Sequence, residues 1–151
     1  MTFERALREG IRVLETGDTR TAGVYFARAM TKTKLSRLQR GVASIYYYGN
    51  LVYRWERAKE FYGNGHIKDF ETPHNFGEAW SDVEIAAVLL SGGSPKILKF
   101  LAAVMGRTID AITFQYKYSF QRIPSPSWTA ESGERYTRWT QNQAVRERLG
   151  I

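Results

Sequence analysis

The sequence predicts an all-α protein: an N-terminal helical bundle (a hairpin plus a long helix), a three-helix helix-turn-helix module, and a C-terminal helix or arm. Three observations carry this. Apolar residues recur three and four apart through most of the chain, the spacing of one helix face. Serines and threonines suited to N-capping stand just ahead of several apolar runs, and glycines stand just after them. Prolines and glycine-rich stretches interrupt the pattern near residues 63–79 and again near 121–127.

In chain order, residues 2–16 form an amphipathic helix with Phe3, Leu7, Ile11 and Leu14 on one face. Thr16-Gly17-Asp18-Thr19 is a turn, and a second helix over about 20–32 carries Ala22, Phe26, Ala29 and Met30. The two make a helical hairpin. The longest periodic segment, 35–62, keeps Leu35, Leu38, Val42, Ile45 or Tyr46, Leu51 or Val52, Trp55 and Phe61 in helical phase. Gly41 and Gly49 weaken it, at up to roughly 1 kcal/mol each relative to alanine, and place a bend near Gly49. The tyrosines at 46–48 and 53 point to several faces; they either fill a three-helix core or form an interface. Residues 1–62 are thus the bundle and 63–79 a connector with a net acidic charge. The connector holds both histidines, His66 and His74, beside Asp69 and Glu71; no metal-ligand spacing is present, and a surface loop explains them.

The stretch 80–120 reads as three short helices. Ser81 with Glu84 forms a capping box, and Val83, Ala86, Ala87 and Leu90 share a face. Ser91-Gly92-Gly93 stops that helix. Ser94 caps the next, Pro95 fits its first turn, Ile97, Leu98, Leu101 and Val104 face inward, and Gly106 ends it. Thr108 caps the third, with Ile109, Ile112, Tyr116 and Phe120 as its inward stripe. Beyond it, Pro124 and Pro126 mark a linker within 121–151, and about 129–149 forms a basic helix or arm that either packs or stays free.

Trp80, Leu98 and Tyr116 stand eighteen residues apart. With Trp80-Ser81-Asp82-x-Glu84, the run Leu101-Ala102-Ala103-Val104-Met105-Gly106-Arg107-Thr108 and Ala111-Ile112, residues 80–120 resemble the Myb/SANT family, whose three helices each give a large core residue at that spacing. The resemblance implies that the third helix lies in the DNA major groove. It would read bases with Asp110, Thr113, Phe114 and Lys117, and Arg107 and Thr108 at its start would meet phosphate. SANT-type members bind proteins instead. More weakly, residues 3–34 resemble a single tetratricopeptide hairpin, through Gly10, Gly17-Asp18, Ala22, Phe26 and Ala29, with Ala6 where that motif prefers tryptophan and Lys34 where it prefers proline.

At 151 residues the chain buries roughly 70% of its unfolded surface, enough for a real core. It has no cysteine, so no disulfide and no thiolate site, which fits a cytoplasmic protein, associated with the nucleoid when DNA-bound. No apolar run is long enough to span a membrane. The formal charge is +7, and no acid occurs between Thr19 and Trp55. Within that stretch Lys32, Lys34, Arg37 and Arg40 form a basic corner able to neutralise phosphates. No phosphate loop, nucleophile elbow, paired carboxylates or metal-ligand series appears, so the sequence indicates neither an enzyme nor a cofactor or small-molecule ligand.

The expectation is therefore a DNA-binding transcriptional regulator, of the small kind that phages and mobile elements carry, with double-stranded DNA as partner. Because 80–120 carries only one more base than acid, binding needs a homodimer through the N-terminal helices or a second DNA contact in the same chain. The alternative is a protein-interaction adaptor, which Asp110 and Phe114 suit better.

Overall fold

The computed structural model describes residues 1–62, 79–120 and 134–151, the side chains of 54–62 and 134–136 excepted. Among them are seven helices and no strand: α1 (Phe3–Glu15), α2 (Thr19–Met30), α3 (Arg37–Tyr62), α4 (Asp82–Leu89), α5 (Pro95–Met105), α6 (Ile109–Ser119) and α7 (Glu134–Leu149). The expected connector, with His66 and His74, and the proline-containing linker up to residue 133 lie outside the described residues.

Local chemistry sets most helix ends. Thr2, Asp18, Ser81 and Thr108 each cap a helix by accepting a backbone N–H three residues on. Ser36 and Gln39 form a further reciprocal cap at the start of α3, which the apolar periodicity did not reveal. Ser94 is a correction: it occupies the cap position of α5, but its side chain makes no cap bond. Gly106 ends α5 in the left-handed conformation, φ 63°, which glycine adopts without a Cβ penalty.

The α1–α2 hairpin closes on small residues. Ala6, Ala22 and Ala29 are fully buried, and a Cβ on Gly10 would meet the Phe26 ring at 2.5 Å. Gly41 and Gly49 have the same role on α3, which stays helical through both. A Cβ at either would stand 2.7 Å from a γ-methyl, of Val83 on α4 and of Val104 on α5 respectively. These glycines therefore admit close neighbours; the sequence reading of Gly49 as a bend saw only their propensity cost.

Tyr46 fastens the N-terminal helices to the later ones. Its ring lies 5.4 Å from Phe26 and 6.1 Å from Phe100, and its hydroxyl donates to the Ala87 carbonyl at 2.7 Å. Burial pushes its phenol pKa upward, so it remains a neutral donor. On both sides of the expected boundary at 63–79, the helices contribute to one continuous apolar core. From Ile85 to Leu89, α4 is buried on all sides, because α3, α5, α6 and α7 surround it, while its first turn is only partly covered. The single inward face expected for this helix was too narrow.

Candidate nucleic-acid interface

The candidate reading helix, α6, is displayed by what holds its back. Gly106 turns the chain, and the Thr108 hydroxyl oxygen accepts the Ala111 N–H at 3.1 Å. Ile112, Gln115, Tyr118 and Ser119 face inward. Gln115 Nε2 donates to Asn142 of α7 at 2.7 Å and to the Ser119 hydroxyl at 3.2 Å. This corrects the expected inward stripe: Ile112 is fully buried and Tyr116 half-buried, whereas Ile109 and Phe120 are nearly half exposed. α7, packed on α4 and α6, covers the Gln115 side, so two polar residues sit where an apolar pattern was sought.

The rotation leaves Asp110, Thr113, Phe114 and Lys117 together on the outward stripe of α6. Asp110, Phe114 and Lys117 are exposed and Thr113 is half-buried. Phe114 is 52% exposed and Ile109 48%; the Phe114 ring rests 5.3 Å from that of Tyr118. Lys117 is the single cation of the stripe, and the last turn of α6 suits its charge.

Arg107 is elsewhere engaged, which corrects its expected place at phosphate. It is buried, its guanidinium lies 4.1 Å over the Trp80 ring, and it donates to both carboxylate oxygens of Glu84, at 2.9 and 3.2 Å. Its Nη2 also donates to the Ala79 carbonyl at 3.0 Å. Burial works against the charged Glu84 carboxylate. The Arg107 fork and the Ser81 cap outweigh it and hold the carboxyl below its ordinary value.

Lys32, Lys34, Arg37 and Arg40 occupy the α2–α3 corner, Lys32 half-buried and the others exposed. No acid among the described residues pairs with any of them. They lie on different elements from the α6 stripe, which is held by α4, α5 and α7. No family model, curated protein or solved structure matches the chain. No cluster of three or more potential metal-ligating side chains occurs among the described residues, and no helix among them is long and apolar enough to cross a membrane.

A second exposed surface corrects the expected phase of α3: Leu51 and Val52, expected to alternate on the inward face, are both exposed, and of the tyrosines at 46–48 it is Tyr48 that joins them outside. Tyr48, Leu51 and Val52 point outward from α3, and Val24 outward from α2. The signal was available: Tyr48, Leu51 and Val52 stand at helical spacing on the side opposite Val42, Tyr46 and Asn50.

Proposed function

We propose that the protein binds double-stranded DNA as a transcriptional regulator, with α6 in the major groove and the α2–α3 corner on phosphates. The observation that carries this reading is the outward stripe of α6. A helix entered by a tight glycine turn, anchored through Ile112 and Gln115, sets Asp110, Thr113, Phe114 and Lys117 along its outward side. Lys117 would donate to a guanine edge, Thr113 to either purine, Phe114 would meet a thymine methyl, and Asp110 would accept from a cytosine amino group.

The Myb/SANT resemblance gains support from the Arg107–Glu84 fork, which ties the Gly106-Arg107-Thr108 fragment to the Trp80–Glu84 fragment. In this reading Arg107 positions the start of α6 and leaves phosphate contact to Lys32, Lys34, Arg37 and Arg40. Those cations matter because Lys117 alone would give weak binding with little salt dependence.

A second reading, a protein-binding SANT-like module, is favoured by one observation: Ile109 and Phe114 place two half-exposed apolar side chains beside Asp110. Fluorescence anisotropy with a random duplex pool at two salt concentrations, followed by sequencing of the bound fraction, separates the two. Salt-sensitive binding with an enriched motif supports the regulator. Absence of binding at low salt transfers α6 to the protein-binding reading.

A further inference from the structure

The outer face shared by α2 and α3 combines an apolar centre with exposed cations. On α2, Arg20, Val24 and Arg28 are exposed and four residues apart, so they share one stripe. On α3, Tyr48 (55% exposed), Leu51 and Val52 (57%) continue the surface, with the Tyr47 ring packed edge-on to Tyr48 at 5.1 Å. The two helices are in register here: Asn50 Nδ2 donates to the Thr19 carbonyl at 2.8 Å, and Gly23 faces Asn50. Thr19 meets Asn50 and Phe26 meets Tyr46, so the helices run antiparallel, and Val24 and Leu51, each one residue past the facing pair Gly23 and Asn50, turn out of the seam on the same side. No acid occurs from Thr19 to Tyr53; Asp18, at the start of α2, lies near enough to Arg20 for its charge to be felt, and Arg28 has no carboxylate beside it but lies 5.6 Å over the Tyr25 ring.

The charge decides among occupants. A second copy docked by the same face about a two-fold axis near Val24 would set the Arg20 of one copy against the Arg28 of the other, and no carboxylate between Thr19 and Tyr53 would relieve the repulsion. A DNA backbone would satisfy the arginines but offers no apolar surface to Val24, Leu51 and Val52. Unpaired bases stack on aromatic rings, whereas three of these four exposed side chains are aliphatic. An amphipathic helix with carboxylates flanking an apolar ridge meets both demands, the ridge on Val24, Tyr48, Leu51 and Val52, the carboxylates on Arg20 and Arg28. We infer that the outer α2–α3 face is a docking surface for an acidic amphipathic helix of a partner protein. It goes beyond the DNA reading and stands without it.

The test uses the full chain and two labelled helical peptides. One has leucines three and four apart with glutamate at the other positions; the second has lysine in place of glutamate. Anisotropy is expected to show binding of the glutamate peptide and none of the lysine peptide. Leu51→Asp, and separately Arg20→Glu with Arg28→Glu, should each weaken binding by about tenfold or more, while Lys117→Ala leaves it unchanged. Far-UV circular dichroism checks that each variant is folded, and Tyr48→Ser serves as a milder change on the same stripe. Equal binding of both peptides, binding of neither, or binding indifferent to Leu51 and Tyr48 would overturn the inference. So would a dimer of the unaltered chain in sedimentation that Leu51→Asp converts to monomer, since the face would then belong to a second copy.

Discussion

Arg107 and Glu84 form a forked ion pair, with Nε to Oε2 at 2.9 Å and Nη2 to Oε1 at 3.2 Å, and the Trp80 ring closes over the guanidinium. The pair joins the turn before α6 to the start of α4, which Ser81 and Glu84 themselves cap. One carboxylate thus serves two ends: it accepts the Ser81 backbone N–H at 3.1 Å and the guanidinium that orients the Gly106–Thr108 turn. The direction of α6 depends on that link.

Arg107→Ala should accordingly be among the most damaging single changes. It leaves Glu84 without its countercharge in a largely covered position and removes the stacking on Trp80. A buried pair broken from one side costs about 3 kcal/mol, which at this chain length lowers the melting temperature by on the order of 10 °C. Arg107→Lys should recover part of the loss, because lysine keeps the charge but offers neither the fork nor the flat stacking surface. Thermal unfolding followed by circular dichroism reads both variants.

The same carboxylate makes stability depend on pH. The carboxyl of Glu84 is held below its ordinary value in the folded chain, so its contribution is complete above the unfolded value of about 4.3 and disappears as pH falls through the folded one. Asp18, lowered by its bonds to Thr21, acts in the same direction. The melting temperature should therefore fall as the solution is acidified below about pH 4.5. Glu84→Gln should flatten that fall while lowering stability at neutral pH. An unchanged acid slope in the variant would show that Glu84 is not its source.

Gly49→Ala should destabilise the protein although alanine is the better helix former. The new Cβ would stand 2.7 Å from both γ-methyls of Val104, and neither methyl lies at the end of a flexible chain. Overpacking of this kind costs about 1–3 kcal/mol, more than the gain of up to about 1 kcal/mol in helix propensity. Val104→Ala in the same chain should restore much of the loss. A double-mutant cycle measured by urea denaturation gives the coupling directly, and additive effects would contradict the close approach.

What the sequence made legible was local. Ser81 with Glu84, Thr108 and Gly106 act within one turn of chain, so their residue types predict their roles. What it concealed depended on distant partners. Gly41 and Gly49 read as weaknesses because Val83 and Val104, the reason for them, lie 42 and 55 residues further on. The inward face of α6 was misjudged because Ile109 and Phe120 are apolar, whereas Gln115 is buried with a bond to Asn142 on α7 and Ser119 is buried with its hydroxyl bonded to Gln115. Arg107 looked like a phosphate ligand because an isolated arginine at a helix start resembles one. Only its geometry with Glu84 and Trp80 shows it occupied. The stripe Asp110, Thr113, Phe114 and Lys117 was legible, since a four-residue period fixes which side chains share a face whatever the opposite side touches.

Docking of α7 should respond to a single polar change. Asn142 is fully buried and accepts from Gln115, while its own Nδ2 is enclosed without a partner. Asn142→Ala removes an acceptor from buried Gln115 and should cost about 1–2 kcal/mol, with faster amide exchange at the end of α6. Gln115→Leu with Asn142→Leu should be milder than Asn142→Ala, because no donor is then left unmet. Hydrogen exchange measured along the chain distinguishes local release of α7 from global weakening.

If α6 reads DNA and the α2–α3 corner holds phosphate, two sets of variants should separate cleanly. Lys117→Ala should alter which sequences are enriched, costing about 1–3 kcal/mol at its preferred base and little elsewhere. Arg37→Ala with Arg40→Ala should weaken every duplex alike and reduce the slope of log affinity against log salt by about 2, one released counterion for each lost contact. Neither site is needed for folding, since Arg37, Arg40 and Lys117 are exposed and outside the core. Anisotropy titrations from low to moderate salt measure both effects on the same duplexes. A salt slope untouched by the double change would remove the corner from the interface, and an enriched motif untouched by Lys117→Ala would remove α6 from the groove.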